Sequence, residues 1–208
     1  MKLLVGLMLL GAAGAQAAAP VEGKDFTRLE IAQPTSDPKK IEVLEFFSYQ
    51  CPHCYAFSKP FESWSRAQPP DVVVQRVPVG FGRPAWEAAA RAYLVFAAMQ
   101  VLPTVDDATF DAIHRQRLRL DSEQALTQWV GTQKVDAKQF ASLYRSFGVE
   151  AQLKNAEARS RAFQIPSVPA IVVDGRYLVA VEDRGSFTPQ LNVVSELVAR
   201  ARREKGGK

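Results

Sequence analysis

The sequence predicts an α/β fold in which an all-helical block interrupts a single sheet-and-helix unit. Three observations predict it. Dense apolar runs suited to strands lie at residues 41–48 (IEVLEFFS) and 71–79 (DVVVQRVPV), and return only at 170–173 (AIVV) and 177–181 (YLVAV). Between the two pairs, residues 84–164 carry alanine-rich amphipathic segments and no strand signal. Residues 188–203 then read as a closing helix, with Leu191, Val194, Leu197 and Val198 at core spacing. The order is strand, helix, strand, helical block, hairpin, helix, and helices covering both faces of the sheet are the natural solution.

The elements follow in chain order. Met1-Lys2, the apolar run 3–10 and the small residues 11–15 have the layout of an export signal, with cleavage patterns at Ala15-Gln16-Ala17 and Ala17-Ala18-Ala19. The apolar run is short of the ~20 residues that span a bilayer. The expected destination is an exported, oxidising compartment, where disulfides persist.

Residues 41–48 read as a buried strand interrupted by Glu45. Cys51-Pro52-His53-Cys54 follows at once and opens a helix to about Ser65, with Pro52 in the first turn. Pro60 is expected to kink or end that helix. In the helical block, residues 86–99, 106–116, 122–133, 136–147 and 149–163 read as helices, with Asp106, Asp121 and Asp136 as N-caps. Asp174-Gly175 marks the hairpin turn.

Composition narrows the function classes. Of 208 residues, 47% are apolar, 23% charged and 10% aromatic, which excludes a disordered, collagen-like or polytopic membrane chain. A net charge of +4 makes no case for nucleic acid. The 2 cysteines, Cys51 and Cys54, are the most informative count. A structural zinc site needs four N/S ligands, and beyond this pair only His53 and His114 are of that kind. Tyr55 stands where a c-type haem motif requires histidine. The pair therefore has itself as partner, which points to redox chemistry.

At a strand-to-helix junction the C-x-x-C spacing puts Cys51 at the helix N-cap and Cys54 one turn on. Unpaired N–H groups and the positive helix end stabilise a Cys51 thiolate, and His53 can add charge or a hydrogen bond. A stabilised thiolate favours the reduced form, so the disulfide becomes the stronger oxidant. Glu45 reads either as a proton acceptor for Cys54 or as half of a structural ion pair. His114 reads as a surface or packing histidine.

These residues resemble the DsbA family of periplasmic thiol-disulfide oxidoreductases, within the thioredoxin-like superfamily. Residues 43–55 (VLEFFSYQCPHCY) resemble the family's active-site strand and helix. Val168-Pro169-Ala170 and residues 172–177 (VVDGRY) resemble its cis-proline segment and hairpin. The resemblance covers essentially the whole mature chain. It implies a thioredoxin-like mixed sheet (20–83 and 165–208) with an inserted helical domain (84–164), behind a signal peptide (1–19) cleaved near Ala17 or Ala19 into the periplasm. It implies Cys51 as the attacking cysteine, Cys54 as the resolving one, and Pro52 and His53 as tuning residues. Glu45 would be the buried acid, with Arg76 a candidate basic partner. Pro169 would be a cis-proline facing the sulfurs, and Val168 would offer its backbone to substrate. The expected activity is donation of the Cys51–Cys54 disulfide to reduced, unfolded exported proteins, with reoxidation by a membrane DsbB-type quinone-linked oxidase and no bound cofactor. Nothing demands more than a monomer. Competing readings are a reductase or isomerase of the same fold, and a non-enzymatic module that binds unfolded chains or metal.

Overall fold

A computed structural model describes residues 19–182 and 185–206. The export signal read on residues 1–19 lies, Ala19 apart, outside the described residues. The elements run β1 (Thr27–Arg28), β2 (Ile41–Phe47), α1 (Pro52–Arg66), β3 (Val72–Pro78), α2 (Pro84–Ala98), α3 (Leu102–His114), α4 (Glu123–Thr132), α5 (Ala137–Tyr144), α6 (Phe147–Ala162), β4 (Ala170–Val173), β5 (Tyr177–Ala180) and α7 (Thr188–Gly206). The sheet is mixed, in the order β1-β5-β4-β2-β3. β2 pairs parallel with β3 and antiparallel with β4.

β2 is the axis of the molecule. All of its residues are buried, which explains why it reads as a near-continuous apolar run. Side chains alternate between its faces. Ile41 and Val43 pack with Phe57 and Phe61 of α1 and with Leu191, Val194 and Leu197 of α7. Leu44 and Phe46 face the other way, onto Val172, Ala156 and Phe163. Phe47, at the strand's end, joins the core of the helical block around Phe96, Phe110, Val130 and Phe140. The end of β2 is thus where the sheet and the helical block meet, and the cysteines follow it directly.

Several expectations are corrected. Asp106 is no N-cap: α3 starts earlier, at Leu102, with Pro103 in its first turn, and Asp106 lies inside it. Ser122, not Asp121, caps α4, accepting from the Ala125 N–H. Asp136 does cap α5, accepting from Lys138 and Gln139. α1 runs on through Pro60 to Arg66. β1 has no counterpart in the sequence reading. It comprises two residues paired with β5. The segment that follows it closes on the hairpin turn at Gly175, which has φ +66°. A Cβ there would stand 2.1 Å from the Gln33 carbonyl oxygen.

Candidate active site

The turn after β2 places Cys51 as the N-cap of α1, with φ −93° and ψ 118°. Pro52 occupies the first turn, where its missing N–H costs no helical bond. The cap sulfur accepts from the Cys54 N–H at 3.4 Å, and the Cys51 carbonyl accepts from Tyr55 at 3.0 Å. Both cysteines are thiols in the structure. Cys51 is 4% exposed and Cys54 is fully buried, while Pro52 and His53 between them are exposed. The Cys51 thiol donates to the Val168 carbonyl at 3.4 Å. The Val168–Pro169 peptide is cis, with Pro169 buried beside the site and Val168 half-buried. Chain segments 117 residues apart in sequence therefore meet at one sulfur.

The two thiols are driven apart in acidity. Cys51 is pushed down to about 6 by the hydrogen bond from the Cys54 thiol, against the cost of burial, with help from the Cys54 and His53 backbone N–H groups and then the His53 charge. Cys54 is pushed up, first by burial, then by its bond to Cys51. At pH 7 a thiol with a pKa of about 6 is mostly thiolate, and this stabilises the reduced form by about 1.4 kcal/mol, or about 30 mV.

Beneath this turn lies an interior charge cluster. Glu45, fully buried on β2, accepts from Arg76 Nε at 2.6 Å, in register across the β2–β3 pair. Arg76 also donates to Asp106 Oδ2 at 2.8 Å, and its guanidinium lies 3.8 Å over the Phe47 ring. Asp106 Oδ1 accepts from the Tyr49 hydroxyl at 2.5 Å. Burial holds the Glu45 carboxyl above the usual carboxylate range, with Arg76 pulling it back. Glu45 Oε1 and Arg76 Nη2 are buried without a protein partner. Of the two readings of Glu45, the ion pair is present in the structure, and Arg76 is its partner.

Helix α3 supplies groups the sequence reading did not assign to the site. Asp106 closes the charge cluster, Asp111 accepts from the Tyr55 hydroxyl at 2.8 Å, and His114 Nε2 meets the Tyr49 carbonyl at 2.7 Å. The available signal was the acids Asp106, Asp107 and Asp111 and then His114, set among the apolar residues of one helix.

The family model described as a DSBA-like thioredoxin domain matches residues 42–188. This chain belongs to that DsbA family. The thiol:disulfide interchange protein DsbA of Pseudomonas aeruginosa is 34% identical over 188 residues, covering 90% of this chain and 89% of the relative. The DsbA of Burkholderia cepacia is 35% identical, covering 99% of this chain and all of the relative. Among solved structures, Pseudomonas aeruginosa DsbA superimposes with a TM-score of 0.84 at 34% identity, covering 88% of this chain and 94% of that one. The DsbA oxidoreductase of Xylella fastidiosa gives 0.82 at 31%, covering 89% and 99%. The chain is a DsbA-family thiol-disulfide oxidoreductase with a thioredoxin-like fold and a helical insertion. Among the described residues no cluster of His, Cys, Asp and Glu could hold a metal ion, and no helix is long and apolar enough to cross a membrane.

Proposed function

We propose that this chain works in the oxidising direction in the periplasm, donating the Cys51–Cys54 disulfide to reduced exported proteins. A single observation carries the reading: Cys51 is pushed down to about 6 at a helix N-cap while Cys54, one turn on, is pushed up. A substrate thiolate attacks the Cys51 sulfur. The Cys51–Cys54 bond breaks, and Cys54 leaves and takes up a proton from water. A second substrate thiolate then attacks the substrate sulfur of the mixed disulfide. Cys51 departs as a stable thiolate, the substrate keeps the new disulfide, and two electrons remain on the reduced enzyme. A membrane DsbB-type quinone-linked oxidase removes them.

Other site residues take supporting roles in this scheme. Pro52 and His53 set the exposed approach to the sulfur. Val168 and Pro169 offer backbone to an extended substrate chain, in the manner of strand addition. The segment 1–19 directs export, and residues 20–83 with 165–208 carry the dithiol while 84–164 form the inserted domain.

The test is the reduction potential of the Cys51–Cys54 couple, measured by equilibration with glutathione buffers. A value more oxidising than glutathione is expected. A value near that of thioredoxin, about −270 mV, would overturn the reading in favour of a reductase.

A further inference from the structure

The residues on either side of the dithiol are tied to the helical insertion. Before it, the Tyr49 carbonyl is met by His114 Nε2 at 2.7 Å, and the Gln50 side-chain amide donates to the Leu120 carbonyl at 3.1 Å. After it, the Tyr55 ring lies nearly parallel to the His114 imidazole, 5.1 Å away at 12°, and its hydroxyl donates to Asp111 at 2.8 Å. His114 alone touches both flanks among these groups. Within the turn itself, the Cys51 and Gln50 N–H groups close back onto Ser48, at 3.1 and 3.2 Å. Those bonds and the cap bonds to Cys54 and Tyr55 shape the turn from within. The contacts with α3 and Leu120 hold it from outside.

Tyr49 is 1% exposed, so its carbonyl needs a donor within the protein. A carbonyl oxygen only accepts, so His114 carries its proton on Nε2. Two residues further on is the Cys51 sulfur, whose acidity depends first on the Cys54 thiol and then on how the Cys54 and His53 N–H groups are aimed at it. Hydrogen bonds weaken steeply with angle and distance, so a small rotation of the turn changes that acidity.

We propose that His114 is a positioning residue for the dithiol: by its hydrogen bond to the Tyr49 carbonyl it locks the turn that aims Cys51 at the N-terminus of α1. The proposal rests on Cys51 being the acidic, attacking cysteine. It gives the inserted domain a chemical role, since α3 holds the redox centre from outside the sheet.

The test compares His114→Met with His114→Gln in the full mature chain. The two replacements are similar in size, and only glutamine has an N–H to offer the carbonyl. The readouts are thiolate absorbance of the reduced protein against pH, the equilibrium constant with glutathione at pH 7, and the urea midpoint. His114→Met is expected to lower the thiolate-to-thiol ratio at fixed pH about threefold, one modest hydrogen bond's worth, and to shift the glutathione equilibrium in the less oxidising direction. His114→Gln is expected to restore both. If His114→Met leaves the thiolate titration unchanged, or if both variants shift it equally, the proposal fails, because the Nε2 hydrogen bond to the Tyr49 carbonyl then does not set the thiolate. Should His114→Met fail to fold, His114→Phe, which also lacks a donor, is read in its place. A wild-type Cys51 titrating like a free thiol would overturn the oxidase reading, while the difference between the variants would still decide the role of His114.

Discussion

Two charged centres lie one above the other in this molecule and are built on opposite principles. At the N-terminus of α1, the Cys51 charge is held by the Cys54 thiol and by groups that stay put whatever its state: the Cys54 and His53 N–H groups and the helix end. Below it, Glu45, Arg76 and Asp106 hold one another in the interior, each charge depending on its partners. The upper centre can gain and lose a charge cheaply, which a redox sulfur requires. The lower one cannot, and burial holds both the Cys54 thiol and the Glu45 carboxyl above their usual ranges. A preorganised backbone suits a charge that comes and goes, and a salt-bridged cluster suits one that stays.

The sharpest break of this contrast is Arg76→Leu. It leaves the buried Glu45 carboxyl and the half-buried Asp106 without their cation, and we expect a loss of about 3–5 kcal/mol in urea unfolding. Removing charges together, in Glu45→Leu/Arg76→Leu, is expected to recover much of that loss. A single variant as stable as wild type would mean that the cluster is not mutually dependent.

A second effect follows from the upper centre. The Cys51 pKa of the folded reduced protein is depressed to about 6, below the ~8.5 of an unfolded thiol. The stabilisation of the reduced form is therefore present above pH ~8.5 and is lost as pH falls through about 6, a change of about 3 kcal/mol relative to the oxidised form. Reduction binds two protons below that pH and one above it. The potential should fall by about 59 mV per pH unit up to pH 6 and about 30 mV per unit beyond. A single slope up to pH 8.5 would contradict a preorganised thiolate.

The smallest effect belongs to His53→Ala. The backbone N–H of residue 53 survives the substitution, and only the side-chain charge, the weakest contributor, is removed. The Cys51 titration is expected to rise by less than about one unit, with no change in the Glu45–Arg76 pair. A larger rise would show that the His53 charge, and not the Cys54 thiol and the backbone N–H groups, dominates the upper centre.

Much of this was legible in the chain. The strands β2 to β5 and the five helices of the insertion follow from apolar period and run length, since each buries a face wide enough to leave a pattern. The two-residue β1 left none, because both of its residues are exposed and it is too short to bury a patterned face. Asp106 was misread as a cap because an acid near a helix start looks alike whether it caps or pairs. Arg76 could be named as the partner of Glu45 only as a candidate, because sequence carries no strand register.

The sequence by itself determined the local chemistry: two cysteines at C-x-x-C spacing, a strand before them, a helix after them, and an acid buried in that strand. These depend on neighbours within a few residues, where covalent geometry fixes distance. The tertiary structure alone decided which distant groups complete the site. Val168 at the Cys51 sulfur, Arg76 opposite Glu45, and Asp106, Asp111 and His114 from α3 arrive from 30 or more residues away. Their placement comes from register across β2 and β3 and from the packing of α3 beside α1, and both are properties of the folded core that no short stretch of chain contains.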